Sequence, residues 1–198
     1  MIDPILLDLP VPIYTNRLLI RPIMPGDGLA MNQAVLESID QFKEWLPWSR
    51  KPPTVEDSEK TARLFYAEFI LRKAMHMVIF KDEFLIGMCG YNSFKWNIPS
   101  ADMGYWCRIK AQGQGYIHEA VNALTLYGFQ QLGFKRLTIH CDDENIKSAQ
   151  VAERSGFELE LKENDLNVRP GNERLRLRRR YVRFDAKGCD NTNVTWKV

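Results

Sequence analysis

The stretch Tyr105–Leu132, YWCRIKAQGQGYIHEAVNALTLYGFQQL, decides how the rest of the chain is read. Tyr105, Trp106, Cys107 and Ile109 are aromatic, apolar or small and suit a strand. Ile117, Val121, Leu124 and Leu132 then recur on one face of a 3.6-residue repeat, which predicts a helix. Between the two, Gln112-Gly113-Gln114-Gly115 removes side chains where the backbone must turn with positive φ or come close to something. The helix N-terminus is therefore aimed at whatever rests on that turn. Unpaired N–H groups and the positive end of the helix dipole suit phosphate there. Taken alone, two glycines before a helix also fit a simple tight turn. The pattern is neither a Walker loop nor the six-residue dinucleotide fingerprint.

On the C-terminal side, Gly133 ends the helix, and Leu137, Ile139 and Cys141 alternate with Thr138 and His140 as a strand over Arg136–Cys141. That completes a βαβ unit, for which a right-handed crossover and a ligand at the carboxyl edge of the sheet are expected. Asn145 caps a further helix to Ser155, Gly156 stops it, and Phe157 begins another strand. A last strand is expected from Arg174 to Phe184. The polar tail Asp185–Val198 has no functional reading of its own.

On the N-terminal side, Asn16–Pro22 reads as a first strand, and Pro25-Gly26-Asp27-Gly28 as a turn into a helix over residues 27–40. Trp45-Leu46-Pro47-Trp48 is either a packed connection between helices or one wall of a substrate cleft. Thr54 with Asp57 three residues on opens a helix to Lys73, with Leu64, Phe65 and Phe69 expected on its buried side. Met77–Lys81 and Phe84–Tyr91 form a hairpin through Asp82-Glu83, and Asn92–Ser100 reads as a loop.

With 198 residues, 45% of them hydrophobic, the chain can bury a substantial core, and its length favours one domain. The 27 basic and 25 acidic residues leave a formal charge of +2, so no global field marks a nucleic-acid binder. Cys89, Cys107, Cys141 and Cys189 show no metal-ligand spacing and read as reduced core thiols, with no metal expected. The apolar run in MIDPILLDLP is too short for a signal or a membrane span, so a soluble cytoplasmic protein is the expectation.

Three signals stand in order: Gln112-Gly113-Gln114-Gly115-Tyr116-Ile117 after a strand, Asn145-Ile146-Lys147-Ser148 opening a helix, and Gly156-Phe157 closing it. Together with TNRLLIRPIMPGDG and WLPW they resemble the GNAT acetyltransferases. More narrowly the chain is similar to the RimJ/RimL-type branch, which acetylates N-terminal α-amines of ribosomal proteins or small amines. The likeness covers roughly residues 14–184. It implies an α/β fold of mixed α+β character: a central, mostly antiparallel sheet with a parallel βαβ unit splayed to accept acetyl-CoA. One domain would span 1–184, with 185–198 as a tail. The family pattern falls on Gln112, Gly115 and Ile117, where a small residue is usual in the last place, and Ile109 stands where a proline is usual.

Acetyl-CoA needs three receptors. The N–H groups of Gly113, Gln114, Gly115, Tyr116 and Ile117 suit its pyrophosphate, with Gln112 adding a side-chain donor. The main chain at Trp106 and Cys107 suits its amide-bearing arm, and the Asn145 amide either holds that arm or simply caps its helix. Ser148, one turn into that helix, matches the position the resemblance gives to a serine that returns a proton to the departing thiolate. For the base, His140 has a suitable pKa; Asp102, Glu160 or a water relay are alternatives. A route through a Cys107 nucleophile is less economical than direct attack. An α-amine with pKa about 8 is already roughly 10% neutral at pH 7, so it asks little of a base.

The acidic Asp142-Asp143-Glu144 suits a cationic amine or is simply a solvated loop. The run from Arg174 to Arg183 is an exposed basic sheet face, or a dock for an acidic protein or ribosomal RNA. The expected acceptor is a protein N-terminus, a ribosomal protein among the candidates, or a small amine such as a polyamine, an amino-acid derivative or an antibiotic. A module that binds coenzyme A without turnover is the remaining alternative. Neither a membrane nor a specific nucleic acid is expected as partner, and the chain is expected to be a monomer or a homodimer.

Overall fold

Period-2 apolar runs separated by turn residues pair into a single sheet in a computed structural model of the chain, which describes residues 3–165, 176–189 and 193–197. The strands are β1 (Ile13–Tyr14), β2 (Leu19–Pro22), β3 (Met75–Lys81), β4 (Phe84–Lys95), β5 (Ser100–Cys107), β6 (Arg136–Asp142), β7 (Glu158–Asp165), β8 (Arg176–Arg183) and β9 (Thr195–Trp196). The helices are α1 (Gly28–Glu37), α2 (Ile39–Trp45), α3 (Val55–Ile70), α4 (Tyr116–Gln130) and α5 (Ile146–Arg154). The order across the sheet is β7-β8-β6-β5-β4-β3-β2-β1-β9. Among the described residues only β5 and β6 run parallel, as the βαβ reading requires; the other pairs are antiparallel.

Alternation along the strands divides the core in two. Met75, Met77, Cys89, Tyr91, Ala101, Met103, Ile139 and Cys141 pack with Val121 and Leu124 of α4 and Ala149 and Ala152 of α5. On the other face Val78, Leu85 and Met88 pack with Met31 and Val35 of α1, Phe42 of α2 and Ala62 of α3, and Trp106 lies against this cluster. All four cysteines are thiols.

Several expectations are corrected. The span 92–100 is not a loop: β4 runs on to Lys95 through a bulge at Asn92, and a tight turn leads into β5 at Ser100. The helix over 27–40 breaks at Ser38 into α1 and α2, where the Ser38 hydroxyl turns back to the Ala34 carbonyl. Thr54 and Asp57 form the reciprocal capping box, but Leu64 of α3 is exposed. Arg174, the expected start of the last strand, lies outside the described residues. Within the C-terminal tail, β9 pairs with β1, and Trp196 meets Tyr127 of α4 edge to face at 5.3 Å.

Candidate active site

β5 and β6 are paired only over their first halves, Ser100–Met103 against Arg136–Ile139. Beyond that, β5 stays with β4 as far as Cys107 and β6 stays with β8 as far as Asp142. Each strand follows its antiparallel neighbour, so the parallel pair parts. The main chain of Tyr105, Trp106 and Cys107 therefore borders a gap in which β6 does not pair with it. An extended, amide-bearing chain adds to such an edge as a strand does.

At the mouth of the gap lies the glycine turn. Gly113 and Gly115 have φ of 76° and 77°, a conformation that costs other L-residues about 1–2 kcal/mol each. Gly115 caps α4 with no side-chain acceptor for the first-turn N–H groups. A Cβ on Gly113 would meet nothing within 4 Å, and one on Gly115 only the Arg17 guanidinium at 3.6 Å. Conformation, not crowding, calls for glycine here, and room remains beside the N–H groups. The Gln112 side chain faces inward: its Nε2 donates to Oε1 of Gln41 at 2.6 Å and to the Cys107 carbonyl at 3.2 Å. It braces the loop against α2 and β5.

Asn145 and Ser148 come together at the start of α5. Asn145 Oδ1 accepts from the Ser148 N–H at 3.1 Å, the helix-cap role, which leaves Nδ2 without a partner among the described residues. Ser148 Oγ donates to the Tyr105 hydroxyl at 3.1 Å, and that hydroxyl donates to the Ser148 carbonyl at 2.9 Å. Tyr105 of β5 thus reaches α5 across the parting of β5 and β6. Reading the sequence missed Tyr105 as a site residue; its place in the alternation was visible, its partner was not. Burial pushes its hydroxyl pKa well up, so it stays protonated. Burial also pushes the Cys107 thiol up to about 11, and the Cys141 thiol to about 11 against a hydrogen bond with Ser148. Neither is a ready nucleophile at neutral pH.

His140 is not beside Ser148. On β6 it alternates with Ile139 and Cys141, so it faces the other side of the sheet. Its Nδ1 lies 3.7 Å from Oδ1 of Asp102, and its buried Nε2 has no hydrogen-bond partner among the described residues. Burial lowers its pKa, against the Asp102 charge and helped by Arg178 and Arg180, so the ring is neutral at pH 7. Asp102 is itself held by Thr138 at 3.1 Å and Asn92 at 3.3 Å. Trp106 projects to this same face, 5.4 Å from the Phe42 ring, which in turn meets the exposed Trp48 at 5.8 Å. His118 and His76 are engaged elsewhere, with Ser155 and Glu68.

Glu160 pairs with Arg136 at 2.5 Å, which lowers its pKa and makes it a poor base. The arginine strand does not present a bare basic face. Arg178 and Arg180 pair with Glu163 at 2.6 and 2.8 Å, Arg179 with Asp143 at 2.6 Å, and Arg176 with Asp142. The same contacts neutralise Asp142 and Asp143 of the acidic loop, Lys162 adding to the latter at 2.8 Å. Among the described residues no three His, Cys, Asp or Glu side chains are grouped to hold a metal.

A sheet that opens between two parallel strands, a glycine-capped helix at the mouth and a serine hydroxyl across the gap suit an extended ligand with an anionic end. Residues 17–158 match the acetyltransferase (GNAT) domain family. The chain belongs to the GNAT acetyltransferases. The ribosomal-protein-serine acetyltransferase of Escherichia coli (strain K12) is 35% identical over 122 residues, 60% of this chain and 68% of that protein. Among solved structures, RimL, a ribosomal L7/L12 α-N-protein acetyltransferase in complex with coenzyme A, has a TM-score of 0.81 at 23% identity, covering 90% of this chain and 98% of that one. The microcin C7 self-immunity acetyltransferase MccE, in complex with acetyl-CoA and AMP, has a TM-score of 0.79 at 20% identity, covering 85% and 93%. At those identities the structural likeness speaks for the fold.

Proposed function

We propose that this chain moves acetyl directly from acetyl-CoA to the N-terminal α-amine of a protein. A ribosomal protein is the acceptor class suggested by the name of the 35% identical relative. The observation that carries the chemistry is the parting of β5 and β6 with Ser148 and His140 on opposite sides of the sheet. Acetyl-CoA supplies the acyl group and a thiolate leaving group. The N–H groups from Gly113 to Ile117 hold its phosphates. The main chain of Trp106 and Cys107 and the Nδ2 of Asn145 pair with its arm, and a backbone N–H at Trp106 or Cys107 faces the oxyanion.

The amine enters from the face bearing His140, Asp102 and Trp106. His140 accepts the proton the attacking nitrogen loses, and Ser148 turns from Tyr105 to protonate the sulfur. Acid and base thus act from the two sides of the reacting carbonyl. An α-amine suits a site whose base is a neutral, partly buried imidazole. No helix among the described residues is long and apolar enough to cross a membrane, and a ribosomal acceptor puts the work in the cytoplasm.

Thiol release from acetyl-CoA tests this against a panel of peptides with free or blocked N-termini, a polyamine and an amino-acid amide. Turnover confined to free N-termini is the expected result. Turnover with the small amines alone would overturn the acceptor class, and none with any amine would make the chain a binding module.

A further inference from the structure

Glu119 puts a carboxylate in the first turn of α4, under the loop proposed above to hold phosphate, and only 8% of the residue is exposed. Left alone, that charge would oppose a dianion arriving on the same turn. Arg17, from the segment between β1 and β2, meets it: Nε donates to Oε2 at 2.6 Å, Nη2 lies 2.6 Å from the same oxygen, and the Arg17 N–H donates to Oε1 at 3.2 Å. Thr15 donates its hydroxyl to Oε1 at 2.5 Å. The guanidinium also sits over the Tyr116 ring at 4.7 Å and donates through Nη1 to the Gln114 carbonyl at 3.1 Å.

That last bond sets the direction of the loop. In a trans peptide the carbonyl and the next N–H point opposite ways. With the Gln114 oxygen turned onto Arg17, the Gly115 N–H points away from Arg17. Positive φ at Gly115 permits this turn, and Arg17 selects it.

We infer that Arg17 is a positioning residue for the coenzyme: it cancels the Glu119 charge and fixes the Gly115 N–H toward the phosphates. The inference rests on the phosphate assignment of the preceding section. Two donors separate the possibilities, acetyl-CoA and S-acetylpantetheine, which shares the arm and thioester but lacks the phosphates.

Arg17→Met is expected to raise the KM for acetyl-CoA at least tenfold with kcat within threefold, and to change kcat/KM for S-acetylpantetheine less than twofold. Adding Glu119→Gln to Arg17→Met is expected to recover part of the acetyl-CoA loss, the share owed to the uncancelled Glu119 charge. Equal losses on both donors, or a double variant no better than Arg17→Met, would overturn the inference by making the role purely structural. Should Arg17→Met fail to fold, Glu119→Gln alone decides: coenzyme A binding at least threefold tighter supports the inference, and unchanged or weaker binding contradicts it. Failure of the phosphate assignment itself would show differently, as wild-type protein binding pantetheine as tightly as coenzyme A.

Discussion

The Ser148 hydroxyl lies 3.1 Å from the Tyr105 hydroxyl, joining the first turn of α5 to the half of β5 that has left β6. The bond holds Ser148 at the edge of the gap, and the buried, protonated tyrosine gives its hydroxyl a partner until a better acceptor arrives. Ser148→Ala is expected to lower kcat by about 100-fold, within the usual range for a general acid, with a smaller change in the KM for acetyl-CoA. Tyr105→Phe keeps the Ser148 hydroxyl but removes its anchor. It should lower kcat by less than Ser148→Ala and cost about 1 kcal/mol of stability. Steady-state kinetics and denaturant melts check both, and a Ser148→Ala kcat equal to wild type removes the serine from the chemistry.

Gly115→Glu places a carboxylate and a disfavoured φ together at the cap of α4. Coenzyme A binding by calorimetry should weaken beyond detection. Gly113→Ala, where a Cβ meets open space, should cost only the conformational term of about 1 kcal/mol in stability. Wild-type affinity in Gly115→Glu would count against the phosphate site.

His140 must be neutral to accept a proton, and burial disfavours its charged form. Its acidic limb in kcat/KM therefore lies below the ordinary value of about 6.5. With an α-amine acceptor the profile should rise with a slope of about one up to pH near 8, and with a slope of about two below the His140 pKa, where both groups titrate. His140→Gln should lower activity and leave the single slope throughout. A pH–rate series from pH 5 to 8 on both proteins checks this; a second limb that persists in the variant assigns the base elsewhere.

Glu37 of α1 pairs with Arg108 after β5 at 2.8 Å and with Lys110 at 3.2 Å, and mainly the Arg108 hydrogen bond lowers its pKa to about 2. A depressed carboxyl pKa contributes stability above its unfolded value near 4.5, and that contribution is lost as pH falls from 4.5 toward 2. After solvent screening the contribution is on the order of 1 kcal/mol. Glu37→Gln should be less stable than wild type at pH 7, with the difference closing as the pH drops through that window. Urea melts at pH 7 and pH 3 check this, a constant difference being the contrary result.

The sequence made the centre of this molecule legible and left its margins obscure, for physical reasons. The βαβ unit, the glycine turn and the α5 cap are local: positive φ at Gly113 and Gly115 and the Asn145 side chain act within a few residues of themselves. Ile13–Tyr14 and Thr195–Trp196 are strands of two residues, too short for any periodicity, and exist only because their neighbours pair with them. β4 hid beyond Tyr91 because its bulge residue, Asn92, is a turn former and Pro99 follows soon after. The Tyr105–Ser148 bond, the Arg17–Glu119 pair and the neutralisation of the arginine strand by Asp142, Asp143 and Glu163 all join distant residues. Such contacts follow from strand order and splay rather than from spacing. Gln112 is the instructive case, since its motif suggested a phosphate donor and its amide instead ties the loop to Gln41 and Cys107.

We propose that the opening between β5 and β6 receives the coenzyme. A crystal structure at saturating coenzyme A tests it most directly. Phosphate oxygens are expected within about 3.2 Å of N–H groups between Gly113 and Ile117, the arm along Trp106 and Cys107, and sulfur within about 3.5 Å of Ser148 Oγ. Coenzyme density elsewhere on the chain, or a sulfur on the far side of the sheet from Ser148, would contradict it.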